Sequence, residues 1–107
     1  MNILAIESSS DICSAALFVG NKLIDIMETD IPRSHSKLLP EYLNKLIHNS
    51  GEEINAIALS IGPGSFTGLR IGTSLAKGIA NARGIAIIPR AFAIPSPDLE
   101  LEQALQK

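Results

Sequence analysis

The stretch from Gly62 to Gly68, Gly-Pro-Gly-Ser-Phe-Thr-Gly, is the first place in this sequence to look for chemistry. It follows an apolar run and precedes a helical one. A strand, a glycine loop and a helix start can together present backbone N–H groups to a phosphate. Leu69 and Arg70 stand where a Walker A loop would carry Lys and Ser or Thr, so the phosphate signature is incomplete. A structural reading competes with it. Gly62, Gly64 and Gly68 permit a tight turn around Pro63, while Ser65 or Thr67 caps the following helix. Elsewhere the material for catalysis is thin. His35 and His48 do not have the i, i+4 spacing that would put them on one helix face, and His35 reads as a capping or packing residue. No nucleophile–base pair or metal set for a peptidase can be assembled. A metal-dependent nuclease needs several carboxylates converging on its ions, and only Glu7 stands at the end of the first strand. Cys13 sits in an apolar stretch without a nearby cation in sequence, and reads as a small core hydrophobe.

Composition sets the frame around these residues. The chain has 107 residues, 46% of them hydrophobic and 19% charged, which fits one globular domain with ample material for a core. Only 4% are aromatic, so that core must be aliphatic. The net charge is -2 and the lysines and arginines are scattered, which gives no electrostatic footprint for nucleic acid. Any action on RNA is therefore expected to pass through another subunit. A single cysteine allows no disulfide framework and fits a reducing compartment. The opening residues lack a basic segment, and Glu7 breaks their apolar run, so they read as a strand rather than a signal peptide. No apolar run approaches the ~20 residues of a membrane helix. The expectation is a cytoplasmic protein without a membrane partner.

The elements follow from periodicity. Ile3 to Ile6 is a continuous apolar run, as in a strand buried on both faces, and Glu7-Ser8-Ser9-Ser10-Asp11 is a turn. Ile12 to Val19 and Lys22 to Thr29 are strands joined at Gly20-Asn21, a two-residue hairpin signal. Leu38, Leu39, Tyr42, Leu43, Leu46 and Ile47 then recur at helical spacing, with Ser34 or Ser36 as cap, Pro40 in the first turns and Gly51 as the stop. Ile54 to Ile61 is a buried strand. The helix after the glycine loop runs to about Arg83, and Ile85 to Ile88 is a final short strand. The order β-β-β-α-β-α-β gives an α/β fold with a five-stranded mixed sheet. This is the ribonuclease H-like layout of each lobe of the actin-like ATPase (ASKHA) superfamily. Pro89, Pro95 and Pro97 break the tail, where Ser96-Pro97-Asp98 caps a short amphipathic helix from Leu99 to Gln106.

Three segments carry a closer resemblance. Ile3-Leu4-Ala5-Ile6-Glu7-Ser8-Ser9, His35-Ser36-Lys37-Leu38-Leu39-Pro40 and Gly62-Pro63-Gly64-Ser65-Phe66-Thr67-Gly68-Leu69-Arg70-Ile71-Gly72 resemble, in order and spacing, those of the TsaB (YeaZ) family. The resemblance covers roughly residues 1–88, expected to be an ASKHA-type lobe; residues 89–107 are expected to be a divergent tail, with the family's second lobe absent. It implies a non-catalytic scaffold or activator in the synthesis of tRNA N6-threonylcarbamoyladenosine. In that scheme TsaB binds its paralogue TsaD, the transferase. TsaE, an ATPase, joins them, TsaC supplies threonylcarbamoyl-adenylate, and tRNA is met only indirectly.

Within the superfamily, Glu7-Ser8-Ser9-Ser10 falls where a first phosphate loop usually carries an aspartate that orients metal-bound water. The resemblance thus offers an alternative, a residual ATP-binding or hydrolysing lobe using Glu7 and the serine turn, although no cofactor is expected for the chain alone and ATP or ADP enters only with the complex. TsaD holds its metal partly through a His-x-x-x-His stretch after the fifth strand. The equivalent Ile87 to Ala93 has neither histidine nor carboxylate, so no metal is expected. The helices offer more. Each has an apolar arc of about half its circumference, wider than the ≳100° stripe one core contact needs. Gly68, Gly72, Ala76 and Ala80 form a small-residue ridge at four-residue spacing. The two helices could bury the surplus against each other. The resemblance instead implies that TsaB and TsaD meet through this helix pair, with Leu39, Leu43, Leu46, Gly72, Ala76 and Ala80 as candidates. A symmetric homodimer is expected in isolation.

Overall fold

The structure is a computed structural model and describes residues 1–8, 13–29, 35–62 and 66–90. The expected elements form in the expected order: β1 (Asn2–Glu7), β2 (Cys13–Val19), β3 (Lys22–Thr29), α1 (His35–Ser50), β4 (Ala56–Ser60), α2 (Phe66–Arg83) and β5 (Ala86–Arg90). They build one five-stranded mixed sheet in the order β3-β2-β1-β4-β5. β1 lies at its centre, antiparallel to β2 and parallel to β4, which is in turn parallel to β5. That placement explains the unbroken apolar run of β1: it is flanked on both edges and buried on both faces.

Alternation along the strands sorts side chains onto two faces. Leu4, Ile6, Cys13, Ala15, Leu17, Ile57 and Leu59 face the helices, meeting Leu39, Leu43, Leu46, Ala76 and Ala80 in the larger core cluster. Ile3, Ala5, Ala16, Phe18, Ala56 and Ala58 form a smaller buried cluster on the other face, to which neither helix contributes. The core is aliphatic apart from Phe18.

β3 departs from simple alternation. Leu17 pairs with Asp25 but Phe18 pairs with Leu23, so Ile24 is an extra residue in a β-bulge. The bulge lets Leu23 and Ile26, which have opposite parity, both join the second face, and leaves Ile24 exposed. An edge strand interrupted by a bulge and carrying Lys22, Asp25 and Glu28 also makes a poor template for another chain.

The loops bear on how the helices are set. Gly51 ends α1 at φ 67°, a left-handed conformation that costs a residue with a Cβ. Past it, the Asn2 N–H donates to Asn55 Oδ1 at 2.7 Å and the Asn55 N–H to the Asn2 carbonyl at 2.8 Å, which locks the start of β4 against that of β1. β4 is shorter than the apolar run suggested: Ile54 is buried as an anchor ahead of the strand and Ile61 is exposed beyond it. Two expected caps are corrected, since Ser36 and Thr67 lie inside α1 and α2 and are exposed. The alternative caps, Ser34 and Ser65, and the tail helix from Leu99 lie outside the described residues. The last strand runs past Ile88 to Arg90.

Candidate functional site

The turn after β1 is where phosphate chemistry was expected, and its two described residues diverge. Glu7 alternates with Ile3 and Ala5 and so belongs to the second face. Register extends this into a row across the sheet: Glu28 pairs with Ser14, Ser14 with Glu7, and Ser60 with Arg90, with Ser60 beside Glu7 one step past the Ile6–Leu59 pair. Glu7, Ser14 and Ser60 are all buried there. Ser8 instead turns under α2, fully buried, and its hydroxyl donates to the Gly68 carbonyl at 2.6 Å. The expectation that Glu7 and Ser8 jointly hold a nucleotide is thereby corrected: they lie on opposite faces, and the Ser8 hydroxyl is already committed. Ser9 and Ser10 lie outside the described residues.

The Ser8–Gly68 bond also explains part of the glycine-rich segment. A Cβ at Gly72 would overlap Ser8 Oγ and crowd the Ser8 Cβ, so with Ser8 bonded to Gly68 a glycine at that point lets α2 pass over the end of β1 without displacing it. Gly62 is buried with φ 112°, a conformation that a residue with a Cβ rarely adopts. Gly68 is buried and its carbonyl receives Ser8; Thr67 is exposed in the first turn of α2. Pro63, Gly64 and Ser65 lie outside the described residues. For those described, the segment works as a helix seat.

Cys13 is fully buried on the helix-facing side. Burial, and then the charge of Glu7, push its thiol up from 9.0 to about 11, so it stays protonated and unreactive at neutral pH. His48 is exposed, its Nδ1 2.8 Å from the Asn44 carbonyl one turn back in α1. Among the described residues no three His, Cys, Asp or Glu gather in a way that could hold a metal.

The helix layer requires the largest correction. Leu39, Leu43, Leu46, Gly72, Ala76 and Ala80, expected at a partner interface, are all buried. Apart from Gly72, which rests on Ser8 and Ile6, they belong to the cluster under the helices. The ridge from Gly68 to Ala80 points inward because small residues let α2 settle close to β1 and β4.

A second ridge lies on the outward side of α2. Ser74, Gly78 and Ala82 recur at four-residue spacing and all are exposed. Beside them Ile71 and Leu75 are only half-buried, as are Leu38 and Tyr42 on α1. Among the described residues, a Cβ at Gly78 would meet nothing within 4 Å. The described residues therefore give no steric reason for a glycine in mid-helix, where it costs about 0.5–1 kcal/mol relative to alanine. The sequence held this signal: the same four-residue step that picks out Gly72, Ala76 and Ala80 also picks out Ser74, Gly78 and Ala82. Without the sheet in place, that step does not tell the inward ridge from the outward one.

Comparison with known proteins gives the arrangement a family. Residues 26–89 match the family model described as TsaD, tRNA N6-adenosine threonylcarbamoyltransferase. The chain is 33% identical over 109 residues to the tRNA threonylcarbamoyladenosine biosynthesis protein TsaB of Haemophilus influenzae, covering 97% of this chain and 46% of that protein. It is 39% identical over 83 residues to TsaB of Escherichia coli, covering 75% and 36% respectively. Among solved structures, YeaZ from Pseudomonas aeruginosa superposes with a TM-score of 0.77 at 30% identity, covering 85% of this chain and 44% of that one. The chain thus spans less than half the length of these relatives. With its β-β-β-α-β-α-β order and five-stranded mixed sheet, the chain belongs to the TsaB (YeaZ) family and carries a TsaD-type, ribonuclease H-like domain.

Proposed function

We propose that this chain serves tRNA N6-threonylcarbamoyladenosine synthesis as a non-catalytic scaffold or activator that docks onto a TsaD-type transferase through the outward side of α1 and α2. The observation that carries this is the exposed ridge Ser74–Gly78–Ala82 beside half-buried Ile71 and Leu75. A helix that keeps a glycine where its own fold leaves open space is suited to close approach by another helix. The names of its relatives supply the pathway, and the matching family model supplies a partner of the same domain type. In this reading TsaE joins the pair, tRNA is met through the transferase, and the setting is the cytoplasm. Among the described residues no helix is long and apolar enough to cross a membrane. The ATP-hydrolysing alternative loses its main support, because Ser8 is spent on Gly68 and faces away from Glu7.

The test is light scattering on this chain mixed with the transferase, for wild type and for Gly78→Trp. The wild type should give the mass of a complex at micromolar concentration. Gly78→Trp should lose it while keeping its circular dichroism and melting temperature. Absence of any complex with wild-type protein, or undiminished binding by Gly78→Trp, would overturn the docking surface.

A further inference from the structure

We draw no further inference here: the strongest candidate, the row of Glu7, Ser14 and Ser60 buried across the second face of the sheet at the end of β1, belongs to the site already described, and its Glu7 and Ser60 already have partners of their own.

Discussion

α2 presents two ridges of small residues with opposite fates. Gly68, Gly72, Ala76 and Ala80 face inward, where Gly72 rests on Ser8 and Ile6 and the alanines are buried in the main core. Ser74, Gly78 and Ala82 are exposed on the outward side, and among the described residues nothing lies within 4 Å of a Cβ placed at Gly78. Both ridges have the same sequence step and similar residues, so size and spacing alone do not tell a packing surface from a docking surface. What separates them is whether the chain's own fold already occupies the space a side chain would take.

The sharpest way to break this distinction is Gly72→Val. A β-branched side chain there must displace Ser8 and β1, and stability to urea should fall by about 3 kcal/mol, the upper end for overpacking a tight site. A bulky residue at Gly72 should therefore unfold the chain instead of only abolishing association; a folded, stable Gly72→Val protein would show that the inward ridge has slack. Alkaline titration probes the dryness of the same side. The Cys13 thiol is at about 11 in the folded chain and 9.0 when unfolded. The unfolded state thus releases its proton first as pH rises, and stability should fall between those values by about 2 kcal/mol. Cys13→Ala should remove that slope; an unchanged pH profile would mean that water reaches the thiol.

Ser8→Ala removes the hydroxyl that fastens the inward ridge and leaves the Gly68 carbonyl without it, at an expected cost of about 1–1.5 kcal/mol in thermal melts. Combined with Gly72→Ala, the loss should be less than additive, since the smaller residue at position 8 makes room for the new methyl group. Gly78→Ala is the smallest change and has the opposite sign: it should stabilise the chain by about 0.5–1 kcal/mol through reduced backbone entropy. Destabilisation by Gly78→Ala would mean that the outward ridge is not open in the folded chain.

Much of the fold was legible in advance because it depends on local pattern. The short apolar run of β1 closed by a polar turn, the Gly20-Asn21 hairpin signal and the helical spacing of α1 are all local marks. The bulge at Ile24 was not legible, because nothing local marks where a register slips. The candidate site fared less well for a related reason. Periodicity reports that two residues share a side of a helix, and is silent on which side meets the sheet. Leu39, Leu43 and Leu46 were rightly grouped and wrongly faced. Glu7 and Ser8, adjacent in sequence, read as one polar turn, yet strand alternation sends them to opposite faces.

The sequence by itself determined the family, the order of elements and the aliphatic core, because these follow from motif spacing, period and composition. Only the tertiary structure decided that Gly72 is a seat for Ser8 and that Gly78 is the glycine left open among the described residues. The reason is common to both. Each depends on which residues from distant segments occupy the same space, and that is fixed when the helices settle on the sheet.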